Sequence, residues 1–328
     1  MLEANNPLRP SNFNDFIGQT NIIEQLKIYI FSAKKRNCCL DHILLYGPPG
    51  LGKTSLAYII AHELEVNIKI ISAPSLENVS DLVSLITSLQ GGDILFIDEI
   101  HRLDKNLEET LYSVLEDFKL NITFKSNDET KIINLDVPPF TLIGATTQIG
   151  LISTPLRDRF SINFKFNYYT NEELAKIIQN NAIKFGFKIN KKECIEIASR
   201  SRMTPRVSNN LLKRILDYSI YKKIKNIDCN VLFECFSLLM IDSDGLTQED
   251  RNILFVMYKF YKNIPVSLET ISNYVGIDAN SIKEVNENFL ILKGYIERTK
   301  RGRILTLKGI KKCENYIKND QKILKEIS

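Results

Sequence analysis

Five short apolar runs, near Ile43 and at Ile68–Ile71, Ile94–Ile97, Thr141–Ala145 and Ile162–Phe166, alternate with segments of helical period such as Val79–Leu89 and Leu107–Leu115. Strands that interleave with helices pair in parallel, because a parallel neighbour is reached only through a long crossover, and the crossover helices cover the sheet. The fold class predicted is therefore α/β, a parallel sheet with helices on both faces. Two further observations extend it. From Asn171 to Ser237 the chain is helical by period, opening with Glu172-Glu173-Leu174-Ala175-Lys176-Ile177-Ile178. After Ser243-Asp244-Gly245, helices at Glu249–Tyr261, Leu268–Val275 and Ser281–Ile291 precede Tyr295–Arg298 and Arg303–Leu307, two alternating runs around a basic turn. Three helices and a two-stranded wing describe a winged helix, a variant of the helix-turn-helix.

The length fits this division: 328 residues exceed one typical core and suggest two or three domains. The expected divisions are 1–168, with a protruding hairpin at about 119–137, then a small helical unit at 169–243 and the winged helix at 244–328. The hairpin is read from Leu120-Asn121-Ile122-Thr123-Phe124 and Lys131-Ile132-Ile133-Asn134-Leu135, two period-2 runs joined by polar residues. With 44% hydrophobic and 25% charged residues the chain reads as soluble and globular. Its start, Met1-Leu2-Glu3-Ala4-Asn5-Asn6-Pro7, has no basic or apolar leader pattern, and no stretch approaches the ~18 apolar residues of a membrane span, so a cytoplasmic location is expected. Six cysteines show no C-x-x-C spacing, which argues against a zinc site or a disulfide framework. Charge is uneven: from Gly245 to the end there are 15 Lys+Arg against 10 Asp+Glu, leaving 28 against 29 for the rest. A basic C-terminal third suits a polyanion.

The first strand leads into Gly47-Pro48-Pro49-Gly50-Leu51-Gly52-Lys53-Thr54, which fits G-x-x-x-x-G-K-[ST] between a strand and a helix-forming run. This is the pattern that binds a nucleoside triphosphate. Glycines let backbone N–H groups curl around phosphates, Lys53 places a point charge on them, Thr54 can ligate Mg²⁺, and the helix N-terminus adds its dipole. The strand Ile94–Ile97 ends in Asp98-Glu99. Paired carboxylates at a buried strand's C-terminal edge make sense where the edge opens onto a ligand: Asp98 to hold the metal, Glu99 to orient and polarise the attacking water. Thr141–Ala145 ends in Thr146-Thr147, whose hydroxyls suit water or the γ-phosphate. Thr154-Pro155-Leu156-Arg157-Asp158-Arg159-Phe160 offers guanidinium groups to a neighbouring subunit's phosphate, and Thr204-Pro205-Arg206 offers another.

The order of phosphate loop, Asp-Glu, Thr, arginine finger and helical-unit arginine resembles that of AAA+ ATPases. The fuller set is similar to the RuvB family, the bacterial motors of Holliday-junction branch migration, from about Leu8 to Gly309. It comprises Leu8-Arg9-Pro10, Asp15-Phe16-Ile17-Gly18-Gln19, His42 through Thr54, Asp98-Glu99-Ile100-His101-Arg102-Leu103, Leu115-Glu116-Asp117-Phe118, Pro138 through Thr147, Pro155 through Phe160, and Arg301-Gly302-Arg303. The resemblance implies an AAA+ ATPase domain, a helical lid and a DNA-binding winged helix, with ATP and Mg²⁺ as cofactors. By position it implies that Leu8, Arg9, Phe16 and Ile17 cradle adenine with Tyr169 nearby, and that Gly50, Leu51, Gly52, Lys53, Thr54 and Ser55 hold phosphate, Thr54 and Asp98 also holding the metal. Asp98 and Glu99 would drive hydrolysis, with Thr147 the first sensor, Arg159 the finger and Arg206 the second sensor. Glu116, Asp117 and Phe118 would lie near a nucleotide across a subunit boundary. Arg298, Arg301 and Arg303 would touch duplex DNA, the 119–137 hairpin would dock a RuvA-like junction-binding protein, and the chain would assemble as a homohexamer.

Three positions depart from the family pattern. The hairpin tip Phe124-Lys125-Ser126-Asn127-Asp128 has no glycine, Met203 stands where glycine is usual before Thr-Pro-Arg, and Thr299-Lys300-Arg301 replaces Thr-Pro-Arg. A clamp-loader-like AAA+ ATPase and a nucleotide-sensing DNA-binding regulator are the alternatives. Eight basic residues and one acid between Lys293 and Lys312 speak against the first, and Glu99 and Arg159 against the second.

Overall fold

The computed structural model describes residues 7–126 and 129–327, with side chains outside 121–133 and 319–327. Met1 to Asn6 of the start read above, and Asn127-Asp128 of the hairpin tip, lie outside the described residues. The chain divides into two compact units, Met1–Gly186 with Met203–Asn210, and Phe187–Arg202 with Leu211–Ser328. Both draw on the segment expected as one helical unit.

In the first unit, helix α1 (Thr20–Arg36) precedes β1 (Ile43–Tyr46), α2 (Lys53–Leu64), β2 (Ile68–Ser72), α3 (Val79–Thr87), β3 (Ile94–Asp98) and α4 (Lys105–Asp117). The hairpin β4 (Lys119–Ser126) and β5 (Glu129–Asp136) follows, then β6 (Thr141–Thr146), α5 (Thr154–Asp158), β7 (Ile162–Lys165) and α6 (Asn171–Lys184). Five strands form one sheet in the order β2-β3-β6-β1-β7, every neighbouring pair parallel. The register matches Tyr46 with Thr146 and Ile97 with Gly144, so β1, β6 and β3 end side by side at one edge. The loops that leave that edge carry the phosphate-loop, Thr-Thr and Asp-Glu motifs. A central strand order that brings three loops to one edge is what a ligand crevice of this class needs.

The central strands β1, β3 and β6 are dry on both faces. Leu44, Leu95, Ile97 and Leu142 pack with Leu82 and Ile86 of α3 and Leu111 and Val114 of α4. The alternate positions Ile43, Leu45, Phe96 and Ile143 are equally buried, and α2 packs against β3 and β6. Each such side chain contributes roughly 1.5–3 kcal/mol relative to exposure. Gly144 is required by this packing, since a Cβ there would lie 2.9 Å from Ile100 Cδ1. The hairpin forms as expected, pairing Leu120 with Leu135 and Phe124 with Lys131.

The segment 171–237, helical by period, is not helical throughout. Lys188–Ile189 (β8) and Asn226–Ile227 (β9) pair in parallel, flanked by α7 (Lys191–Ser199), α8 (Pro205–Tyr221, which begins in the first unit) and α9 (Cys229–Leu238). Two-residue strands are too short for a period-2 signal. Next come α10 (Gln248–Tyr261), α11 (Leu268–Val275), α12 (Ala279–Ser281), a π-helical turn at Ile282–Glu287 and α13 (Asn288–Leu292). The wing is β10 (Ile296–Thr299) with β11 (Gly302–Leu305), antiparallel, and α14 (Leu307–Ile327) follows. The expected third helix thus starts two residues earlier, at Ala279, and contains a π turn. Ile253, Leu254, Met257, Ile271, Ile282, Phe289, Leu290 and Leu305 form the core here. Arg303 also bridges Val266, and Gly302 admits that approach: its φ is 137°, and a Cβ would lie 2.4 Å from the Val266 carbonyl oxygen.

Candidate functional site

Gly47, Gly50 and Gly52 all have positive φ, at 142°, 78° and 102°, which L side chains rarely adopt. The loop they shape delivers the chain into α2, whose N-cap is Gly52 and carries no side-chain oxygen, leaving the first-turn N–H groups without a side-chain cap. Close packing requires the glycines as well: a Cβ on Gly50 would lie 3.0 Å from Arg206 Cβ, and one on Gly52 would lie 3.2 Å from Phe16 Cζ. Lys53 is 7% exposed. Its ammonium donates to the carbonyls of Gly47 (2.8 Å) and Pro48 (3.0 Å). Burial lowers its pKa to about 8; Asp98 and Glu99 oppose that shift, and Arg206 adds to it. A cation held dry on carbonyl dipoles favours an anion as its partner.

At the end of β3, Asp98 Oδ1 accepts the Glu99 N–H at 3.0 Å, and Glu99 takes a left-handed φ of 50°. The Glu99 carboxylate lies against the residues that leave β6. Thr147 Oγ1 donates to Glu99 Oε2 at 3.2 Å, and His101 Nδ1 lies 3.2 Å from the same oxygen. His101 Nδ1 is also 2.9 Å from Thr146 Oγ1, which accepts the Gln148 N–H. Thr147 and Glu99, singled out separately in the sequence, are therefore in contact. His101 stood inside the quoted motif with no role, and its proximity to Thr146 is a product of strand order.

Arg159 follows α5, and its Nη2 pairs with Glu116 Oε2 at 2.5 Å while its guanidinium lies 5.8 Å from the Tyr112 ring centre. Tyr112 is held in turn by Glu108 (3.2 Å) and Ser153 (3.1 Å). Arg159 Nε is buried with no hydrogen-bond partner among the described residues. Of Glu116, Asp117 and Phe118, the two acids are exposed, whereas Phe118 turns inward against Phe140 and His42. His42 is buried; its Nδ1 accepts the Leu142 N–H at 3.0 Å, which leaves Nε2 to donate to the Leu115 carbonyl at 3.2 Å. Burial pushes its pKa below the ordinary value.

The remaining candidates gather around the loop. Leu8, Phe16 and Tyr169 are buried, Ile17 is half-buried, and Arg9 stacks 5.2 Å from the Tyr58 ring centre. Tyr169 donates its hydroxyl to the Leu51 carbonyl (3.1 Å) and its N–H to the Met203 carbonyl (3.1 Å), and the Arg206 N–H reaches the Gly50 carbonyl (3.2 Å). Arg202 and Met203 both take left-handed φ, at 51° and 58°. The position where the family pattern has glycine thus keeps a left-handed turn without one, at some cost in strain.

In the wing, Arg298 and Arg303 are cross-strand partners. Both bond to Glu287, a residue the sequence reading did not single out. Arg301, at the turn, is exposed and has no side-chain partner among the described residues. No helix among the described residues is long and apolar enough to cross a membrane.

Three family models match in succession: the Holliday junction DNA helicase RuvB P-loop domain over residues 8–166, the RuvB AAA lid domain over 169–242, and the RuvB C-terminal winged helix domain over 243–314. The chain is 48% identical over 308 residues to the Holliday junction branch migration complex subunit RuvB of Fusobacterium nucleatum, covering 94% of this chain and 93% of that one. It is 48% identical over 302 residues to the subunit of the same name from Lactobacillus johnsonii, covering 92% and 89%. The solved structure of the Thermotoga maritima RuvB Holliday junction branch migration motor superposes with a TM-score of 0.85 at 42% identity, covering 94% of this chain and 99% of that one. With a nucleotide-binding P-loop domain, a lid and a winged helix matched along nearly its whole length, the chain belongs to the RuvB family.

Proposed function

We propose that this chain is the subunit of a homohexameric ATP-driven motor that moves duplex DNA through its ring and drives Holliday-junction branch migration in the cytoplasm. One observation carries the reading. The strand ends gather a buried, anion-seeking Lys53, the acids Asp98 and Glu99 and the Thr147 hydroxyl, while the cation suited to a transferring phosphate, Arg159, is partnered by Glu116 and Tyr112, outside the phosphate loop. A hydrolysis centre short of one cation suits completion by a neighbouring copy.

In this reading Gly50, Leu51, Gly52 and Ser55 supply backbone around the phosphates, and Lys53 exchanges its loop carbonyls for phosphate oxygens. Leu8, Arg9, Phe16, Ile17 and Tyr169 hold the adenine side, and Arg206 senses the nucleotide from α8. Thr54 and Asp98 would hold Mg²⁺, which neutralises charge on the phosphates when bound. Glu99 orients and polarises the attacking water once its carboxylate leaves Thr147. Arg159, paired with Glu116, faces the next subunit's nucleotide, with Asp117 and Phe118 following Glu116 at the C-terminal end of α4. The wing residues Arg298, Arg301 and Arg303 grip duplex phosphates, and the 119–137 hairpin docks a RuvA-like protein on the junction.

A synthetic four-way junction with heterologous arms tests this. With the junction-binding partner and ATP present, the chain should convert it to split duplexes, and Glu99→Gln should not. Steady ATP hydrolysis with the junction bound but unmoved would point to a clamp-loader-like ATPase, and DNA binding without turnover to a regulator.

A further inference from the structure

Glu287 ends the π-helical turn Ile282–Glu287, a local geometry found often at functional sites. Asn286 and Glu287 are both 1% exposed, and they face different partners. Asn286 donates to Asp250 at 2.7 Å, inside the helical core. Glu287 turns to the wing. Its Oε1 accepts from Arg298 Nε (3.1 Å) and Arg303 Nε (2.8 Å), its Oε2 accepts from Arg303 Nη2 (3.2 Å), and Arg298 Nη2 lies 2.9 Å from Oε2 as an ion-pair contact. Three charge-assisted hydrogen bonds and the further ion-pair contact engage both carboxylate oxygens. Burial pushes its pKa up, but the two arginines outweigh burial and hold it below the ordinary carboxylate value.

Two guanidinium groups directly opposite each other on paired strands repel. The carboxylate removes that conflict and leaves the outer edges of both arginines facing away from it. We propose that Glu287 is a positioning residue that sets the strength of the wing's hold on DNA, seating Arg298 and Arg303 side by side and cancelling one of their two charges. This rests on the reading of the wing as a phosphate-binding surface. A phosphate approaching the pair meets one net positive charge instead of two, so fewer counterions are released on binding and the duplex departs more readily. A motor that passes DNA along has use for such a restrained grip.

The test is duplex affinity as a function of salt for the full chain, with folding of each variant checked by near-UV circular dichroism. Glu287→Gln should bind more tightly, with a slope steeper by up to about 0.9. Arg303→Gln should flatten the slope by a similar amount. The double variant, which restores the wild-type net charge, should return to the wild-type slope. Glu287→Gln binding no more tightly, with an unchanged or flatter slope, overturns the proposal, and Arg301→Ala then reports on the wing itself. A flatter slope in Arg301→Ala keeps the wing as the DNA surface; unchanged slopes in both Arg301→Ala and Arg303→Gln remove both readings. Should Glu287→Gln fail to fold, Arg298→Gln and Arg303→Gln decide. Sharing one carboxylate requires equal flattening from both, although their side chains are 50% and 17% exposed; flattening by Arg298→Gln alone overturns it.

Discussion

The phosphate loop and the wing both present cations to phosphate, and they do so in opposite ways. Lys53 is buried, its charge opposed by desolvation and eased by two loop carbonyls. Arg298 and Arg303 share a buried carboxylate at the protein surface, and Arg301 stands in solvent. A dry cation gains most from an anion that enters its cradle, which favours tight and selective binding. A surface cation already paired or hydrated gains little per contact and loses it to salt, which favours weak binding blind to sequence. Fuel and track call for these two regimes.

The comparison breaks most severely at Lys53. Lys53→Ala should abolish ATP turnover and nucleotide binding together, whereas Glu99→Gln should lose turnover and keep the nucleotide, because its phosphate-facing residues survive. Equilibrium binding of a fluorescent ATP analogue to both variants checks the division; equal loss in the two would refute it.

Arg159→Ala should also cost on the order of 10³ in turnover. Mixing it with Lys53→Ala protomers should recover part of the activity wherever an intact loop meets an intact finger. Co-assembled rings as inactive as either parent would place Arg159 outside the neighbour's site.

A smaller effect sharpens the other half of the contrast. Arg301→Ala should flatten the salt dependence of duplex binding by up to about 0.9 and weaken unrelated sequences equally, since phosphate contacts carry no base information. A sequence-dependent loss would move the wing toward base readout.

The smallest expected effect is the pH response of His42. Its folded pKa lies below the ordinary 6.5 because the ring is buried, so the unfolded chain takes up the proton first. Stability should therefore fall as pH drops below about 6.5, and His42→Asn should remove that slope while lowering stability at neutral pH. Urea midpoints at about pH 7.5 and pH 5 measure it; a midpoint equally pH-dependent in the variant would assign the loss to other groups.

Much of this was legible in the sequence because its signals are local. Apolar runs located the five strands of the sheet, and period-2 alternation located the hairpin. The Gly-Lys-Thr spacing needs no tertiary knowledge, since the backbone conformation it imposes is set by the glycines themselves. Helices α1 and α14 went unread, as did the two-residue strands β8 and β9, which are shorter than any period.

The chain by itself determined its α/β class, its winged helix and which residue types would face phosphate, because periodicity and loop chemistry act over a few residues. Strand order was decided only in three dimensions. The order β2-β3-β6-β1-β7 brings Glu99 to Thr147 and His101 to Thr146, pairings separated by 48 and 45 residues that no spacing rule encodes. The same holds for Arg159 with Glu116, and for Glu287 with Arg298 and Arg303. Each charge needs a partner once water is excluded, and which partner it finds depends on how distant segments pack rather than on what lies next to it in the chain.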